Sequence, residues 1–591
     1  MRFPTIPDSD FKGVVAFADA LATQGITTGG WYWNLFSQGT STILSLVIVM
    51  VPSDPTTTAR MTTAIMLGLL PLFPLLLLRN RVPWWGCFLA AAIIAFQPAL
   101  VIFSSVVAQD NWVMLPVIPL ACLVVRNLWG SRKGYPVWAA LLWCVAGYIR
   151  EEMFVAALPL AIAASWVPTD SGLRLKRTLA FAGTAWLLLI CIGMQRHAAT
   201  GNFALTTSHG GSSILGSYAP GAGFGWVDPQ PFIAAKDPSL LDPSNRIVKQ
   251  APPAAGGGQA GEYGASDIAR GQAKLAIEEI MRRPGLHVVQ RLGALYAAAS
   301  DKDGTLEYWA LTDPNVQGEV NRTAATSFAT KMAPYVYWGL IALHVLFVGA
   351  VFVAIRERSA LMLVLIGTIL LKMGIHVLVA MQGRFLIVTD ALEALVVTVA
   401  LVRMSQQPRA GIAFVAGALA ALATCLVSSH YYDRVQSWVA VQEWNRDDLH
   451  YRFALRLPHT EVDCHMDRGE LTTLNGDSVV FQLPREPRPG DFAEVVCTQP
   501  GGSQQGLQLD IHDGYAPGGL PDRIVQEAIV DGKTIQKHDI AAEPGAGWWS
   551  VEVPSGGQAI TVRIEAIAPD AGARWGDAGA TELRFKKADE K

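Results

Sequence analysis

The sequence predicts a polytopic α-helical membrane protein of about ten or more spans, with a C-terminal extracytoplasmic β-sandwich of jelly-roll type. Three observations carry that reading. The 591 residues are 51% hydrophobic and only 16% charged, whereas soluble proteins carry about 25% charged residues. Long apolar runs fill much of residues 40–430. Beyond them the composition turns ordinary, with short alternating segments separated by Gly, Pro and Asp. A cytosolic globular enzyme, a disordered chain and a fibrous repeat are excluded. The net charge of −3, without a long Lys/Arg block, argues against a nucleic-acid partner.

The spans follow in order. A spanning helix needs about 17–25 mostly apolar residues. Residues 61–78, 85–107, 112–125, 137–149, 153–167 and 178–194 qualify, the fourth and fifth being short. After a long polar gap come 335–355, 360–380, 385–402 and 412–428. The stretch 41–52 is apolar but too short to span and reads as re-entrant. No cleavable signal peptide precedes it, because residues 1–30 lack a basic start followed by an apolar block.

Basic residues set the orientation, since Lys and Arg gather in cytoplasmic loops. Arg79 and Arg81, Arg126 with Arg132 and Lys133, Arg174 with Lys176 and Arg177, Arg356 with Arg358, and Arg403 with Arg409 fall in alternate short loops. The opposite side of a plasma (inner) membrane then receives residues 1–40, the Arg150–Glu152 tip, the 196–334 loop and the tail, which becomes periplasmic. Within that loop, 219–264 is rich in Gly, Pro and Ala and reads as mobile, whereas 265–281 and 285–299 read as helices lying on the membrane surface. Three parts result: a membrane domain at 1–430, a connector at 431–454 and a β domain at 455–591.

Seven strands are expected in the tail: 478–483, 494–497, 507–511, 524–530, 549–553, 560–566 and 583–585. Cys464 and Cys497 are the two cysteines there, and a pair alone in one outward domain suggests a disulfide, unpaired buried thiols being the alternative. Trp548, Trp549 and Trp575 are either core residues or platforms for sugar rings. Asp510, Asp513 and Asp577 offer oxygen ligands for a structural Ca²⁺ but lack the spacing of a calcium loop.

The candidate chemistry is carboxylates and cations at the outer ends of the spans. Asp8 and Asp10 precede an amphipathic helix, where they act either as caps or as functional groups. Asp110 lies at the outer junction of two spans, where a charge is costly. Lys372 sits inside a span with His376 four residues on and on the same face, and so needs a partner or water. Arg150 and Arg384 mark span ends; they are phosphate ligands or headgroup anchors. Glu151 and Glu152 are placed to pair with these cations. No metal-ligand spacing appears; no cofactor is called for, and a divalent cation is left open.

Several of these stretches together resemble the GT-C glycosyltransferases. The branch in question holds the protein O-mannosyltransferases, the lipid A aminoarabinose transferases and the rhizobial lipopolysaccharide galacturonosyltransferases (glycosyltransferase family 39-like). The matching stretches are Pro7-Asp8-Ser9, Phe96-Gln97-Pro98-Ala99-Leu100 running to Asp110, Tyr148-Ile149-Arg150-Glu151-Glu152, Thr200-Gly201-Asn202-Phe203-Ala204-Leu205 with Gly210-Gly211, and Gln382-Gly383-Arg384-Phe385. They cover residues 1–430, and their order and sidedness carry the likeness more than any one of them. The resemblance implies an inverting transfer of sugar from a polyprenyl-phosphate donor to a cell-envelope glycan, lipid or protein at the outer membrane face. It implies Asp8 as general base, with Asp10 its rival, and Arg384 as a phosphate-side cation. Lys12 stands where the family usually has Tyr.

Two other classes stay in view. A membrane transporter would bring internal repeats and broken midplane helices, and no repeat appears. A non-catalytic scaffold for an envelope polysaccharide system would have no use for the acidic outer loops. Finally, the family enters its first outer loop from a span, whereas here Met1 stands just before the motif. A longer natural product, with about 20 apolar residues upstream, is the expectation.

Overall fold

Apart from short stretches within them, the computed structural model describes residues 10–240, 265–302, 319–444 and 451–587. The chain divides into two compact units, Met1–His209 with Val288–Val435, and Gly210–His287 with Gln436–Lys591. The second unit thus joins residues 210–287 with the tail.

The first unit is helical. Among the described residues, seven helices are long and apolar enough to cross a membrane: Pro55–Leu78, Gln109–Leu128, Leu173–Thr200, Ala333–Glu357, Ala360–Val379, Gly383–Gln406 and Pro408–Gln436. Two are central, with 94% of the apolar window of Gly383–Gln406 and 83% of that of Gln109–Leu128 buried. Leu173–Thr200 and Pro408–Gln436 are peripheral, at 11% and 17%. Their apolar side chains, such as Trp186, Leu187, Leu419 and Leu426, stay exposed, which in water would be a large sticky surface and against lipid costs nothing.

The remaining apolar helices among the described residues, Gln38–Met50, Trp84–Phe96, Pro136–Ile149 and Met153–Ser165, are shorter than a full span. The expected span 85–107 is broken, because Pro98 lacks the N–H that a continuing helix would use. Gln97 fills the break: its Oε1 accepts from the Leu100 N–H at 2.6 Å and its Nε2 donates to Asp390 at 2.6 Å. The irregular stretch that follows is pinned by Asn111 Nδ2, which donates to the carbonyls of Phe103 (2.9 Å) and Val106 (2.7 Å). Pro55 starts its helix at the first helical position, with the Asp54 carboxylate accepting from the Thr57 N–H at 2.7 Å.

The Asp10–Gln24 helix packs on Gln38–Met50, with Ser41 Oγ donating to the Val14 carbonyl at 3.0 Å. Gly39 in turn lets that second helix touch the backbone of Tyr148 and Ile149, since a Cβ there would stand 2.7 Å from the Tyr148 carbonyl oxygen. Thr42 and Tyr148 hydroxyls meet at 2.8 Å, and Tyr148 donates to Gln195 Oε1 at 2.5 Å. The N-terminal helix pair is thus docked on the residues that run directly into Arg150.

The two expected helices form as Ala265–Arg282 and Pro284–Ser300. Most of 219–264 beyond residue 240 lies outside the described residues. The tail holds eleven strands: β1 (Tyr451–Leu457), β2 (Thr460–Arg468), β3 (Glu470–Asn475), β4 (Ser478–Gln482), β5 (Phe492–Thr498), β6 (Leu507–Asp513), β7 (Arg523–Val530), β8 (Lys533–Asp539), β9 (Trp548–Val553), β10 (Ala559–Ala568) and β11 (Thr581–Lys587). The seven expected strands correspond to β4–β7 and β9–β11. They form two antiparallel sheets, β1-β2-β5-β10-β7-β8 and β3-β4-β11-β6-β9. Inward residues of both, among them Val495, Val562, Phe481, Ile511 and Leu583, share one apolar core.

Trp549 belongs to that core. Its Nε1 donates to Gln526 Oε1 at 2.9 Å, and Gln526 donates on to Thr581 Oγ1 at 2.8 Å. Asp510 accepts from Ser550 Oγ at 2.6 Å, while Trp575 and Asp577 lie outside the described residues.

Cys464 of β2 faces Cys497 of β5 in register, and the two are disulfide-bonded with a sequence separation of 33. By the chain-entropy account such a loop contributes roughly 3–4 kcal/mol. Cys464→Ser with Cys497→Ser should therefore lower the chemical stability of the tail by about that amount, read by denaturant titration of tail Trp fluorescence. An unchanged midpoint would show that the bridge does not constrain the unfolded chain.

Candidate functional site

The site grows from a turn. Pro136–Ile149 and Met153–Ser165 are joined by Arg150-Glu151-Glu152, whose three charges leave an apolar helix pair together. Glu152 Oε1 is the hub. Lys372 Nζ approaches it at 2.6 Å, Arg150 Nε at 3.1 Å and His376 Nε2 at 3.4 Å. Lys372, on Ala360–Val379, also contacts His376 one turn on, and is 1% exposed. Arg150 Nη2 reaches Asp110 Oδ1 at 2.8 Å, at the start of Gln109–Leu128. Each of these charges is costly to desolvate alone and becomes tolerable only through the others.

Phe385, at the head of Gly383–Gln406, closes the cluster. His376 stacks on its ring at 4.6 Å between centroids and 15° between planes. The guanidinium carbons of Arg384 and Arg150 lie 4.8 Å and 5.3 Å from its centroid. Five sequence-predicted residues (Asp110, Arg150, Lys372, His376 and Arg384) are thereby gathered, with Glu152 and Phe385 added. A Lys inside an apolar span needs a partner, and the sequence offers Glu151 and Glu152 equally. Phe385 gave no sequence signal beyond its place after Arg384.

Glu151 points elsewhere. Its carboxylate accepts from the Thr207 N–H at 2.5 Å and from Thr207 Oγ1 at 3.2 Å. Burial pushes its pKa up to about 7, against the pull of the Thr207 hydrogen bond and of Arg196. Burial works the same way on Glu152, but Arg150 and Lys372, with His376, outweigh it and hold that carboxyl well below the usual range. Asp10 begins the N-terminal helix, while Asp8 and His209 lie outside the described residues.

Among the described residues, three cations, Arg150, Lys372 and Arg384, thus stand with two carboxylates, Asp110 and Glu152. Chemically, such a set is suited to an anion, and Arg150, 18% exposed in its side chain, is its most accessible cation. A metal-compatible group lies apart from it: His344, Asp390 and Glu393 come together inside the helical unit, a grouping that sequence spacing did not reveal. No protein family, curated protein or solved structure matches the chain.

Two outcomes follow. Glu152→Gln leaves the buried Lys372 without its anion, and should cost about 3–5 kcal/mol of stability, seen as a lower thermal midpoint. A midpoint equal to wild type would show that the hub carries no such load. For Glu151, unfolded and folded values are 4.5 and about 7, so the folded state holds the extra proton between them. Its contribution to stability is full below pH 4.5 and is lost as pH rises through 7. Wild type should therefore lose midpoint relative to Glu151→Gln between pH 5 and pH 8, and a constant difference would refute the raised value.

Proposed function

We propose that the protein is an inverting glycosyltransferase that moves a sugar from a polyprenyl-phosphate donor to an envelope glycan, lipid or protein. The observation that carries this reading is the excess of cation over anion around Phe385, gathered where several apolar helices end. An anionic phosphate on a long apolar tail answers both properties, charge at the head and exposed apolar helices for the tail. Arg150 and Arg384 take the phosphate; Glu152 and Asp110 orient Arg150, and Lys372 adds positive potential from within. Supporting it further, the helix that opens at Asp10 is docked through Gln38–Met50 on the residues before Arg150. A base at Asp8 would remove the acceptor proton as its oxygen attacks the anomeric carbon, and the phosphate would leave from the opposite face.

In the same reading the protein is a member of the GT-C class, embedded in the plasma membrane. The four shorter apolar helices complete the seven long ones toward ten or more spans. The two-sheet tail is a jelly-roll-like sandwich on the periplasmic side, a side on which its disulfide is stable. One observation favours a second reading, an ion-coupled transporter. The helix broken at Gln97-Pro98 lies beside buried ionisable groups, as in transporter cores.

Incubating the purified chain with polyprenyl-phosphate sugars separates the two, because only a transferase releases polyprenyl phosphate. Asp8→Asn should lower transfer by about 10²–10⁴-fold with donor binding intact. Activity in Asp8→Asn together with its loss in Asp10→Asn would move the base two residues on. Arg384→Ala should weaken donor binding more than acceptor binding, with Arg384→Lys a partial rescue, since a point charge replaces a fork. Equal losses for both substrates would remove Arg384 from the phosphate.

A further inference from the structure

The helical unit holds a second set of titratable side chains that the transfer reaction does not use. Ala333–Glu357 contributes His344, and Gly383–Gln406 contributes Asp390 and Glu393, three residues apart on one face. His344 Nδ1 lies 2.7 Å from Glu393 Oε2. Asp390 Oδ2 accepts from Gln97 Nε2 at 2.6 Å. One donor atom from each of His344, Asp390 and Glu393 stands within 4.8 Å of the other two.

Protonated, His344 answers one of the two carboxylates, through Glu393 Oε2, and leaves the second without a cation among the described residues. Asp390 and Glu393 are 1% and 0% exposed. No Lys or Arg among the described residues pairs with either. Each keeps one buried carboxylate oxygen, Oδ1 of Asp390 and Oε1 of Glu393, that accepts no hydrogen bond. Two desolvated carboxylates side by side with two vacant acceptors call for positive charge between them.

The donors also say which charge fits. One imidazole nitrogen and two carboxylate oxygens form the donor set of borderline divalent transition metals rather than of calcium or magnesium. With neutral imidazole the charge sums to zero for a divalent ion. Bonds of about 2.0–2.2 Å at tetrahedral angles set donors about 3.4 Å apart, so a set whose donor atoms lie within 4.8 Å of one another closes by up to about 1.4 Å on loading.

We propose that His344, Asp390 and Glu393 bind one divalent transition-metal ion of the zinc class, which ties Ala333–Glu357 to Gly383–Gln406. Gln97, at the helix break, is a positioning residue that orients the Asp390 carboxylate toward the ion. The site is independent of the glycosyltransferase reading and stands if that reading fails.

The test uses the full chain purified in detergent, stripped with a chelator and then titrated with zinc(II). Wild type should retain about one zinc per chain through gel filtration and gain thermal midpoint on loading. Asp390→Asn and Glu393→Gln should each weaken zinc binding by at least about tenfold, and Gln97→Ala by about 10–100-fold. Zinc X-ray absorption on wild type alone, which needs no variant to fold, should show nitrogen and oxygen neighbours without sulfur. Absence of stoichiometric zinc in wild type, sulfur in the first coordination sphere, or unchanged affinity in folded Asp390→Asn and Glu393→Gln would each overturn the proposal.

Discussion

One carboxylate oxygen sets the arrangement of the helical unit. Lys372 is a long cationic side chain inside an apolar helix, and its burial is tolerable only because Glu152 Oε1 stands 2.6 Å from its ammonium. That pairing draws the Arg150–Glu152 turn onto Ala360–Val379. The turn then brings Arg150 to Asp110 on one side and to Phe385 on the other. Four separate stretches of chain, 109–128, 150–152, 360–379 and 383–406, are thereby held at a common point. The same event concentrates positive charge beside the ends of apolar helices.

Around that point the apolar core is organised by a few polar side chains that repair breaks in helices. Gln97 caps the helix that Pro98 restarts and ties it to Asp390. Asn111 holds the carbonyls of Phe103 and Val106, and Trp112 Nε1 donates to Thr63 Oγ1 at 3.0 Å. Every such group satisfies backbone or side-chain atoms that water would otherwise serve. Broken helices persist in an apolar interior because these repairs exist. They also place ionisable groups deep in the unit, where charge is functional more often than structural.

Much of this was legible because it rests on local patterns. Apolar runs of the right length gave the long helices, and Lys372 with His376 at i, i+4 gave one face of the site. Which glutamate serves Lys372 was not legible: adjacent residues point apart, and the docking of one turn decides between Glu151 and Glu152. The break at Pro98 was visible in principle but sat inside an apolar run that reads as one span. Asp390 and Glu393, two acids inside an apolar helix, were a signal passed over, while His344 reaches them only through tertiary packing. In the tail, β8 was foreshadowed by Asp531-Gly532, whose positive φ values of 48° and 74° make the two-residue hairpin turn. β1 and β2 carry an unbroken period-2 alternation (Tyr451, Phe453, Leu455, Leu457; Val462, Cys464, Met466) and were legible, whereas β3, with Leu471 and Leu474 three apart across a register shift, was not.

The central claim is that the cationic cluster around Phe385 is a lipid-phosphate site. Its most direct test is a cryo-electron microscopy structure of the full chain in a lipid nanodisc with polyprenyl phosphate. The account predicts phosphate density within about 4 Å of the guanidinium groups of Arg150 and Arg384. Phosphate bound away from both arginines, with the Arg150–Asp110 and Lys372–Glu152 pairs closed and the lipid elsewhere, would contradict it.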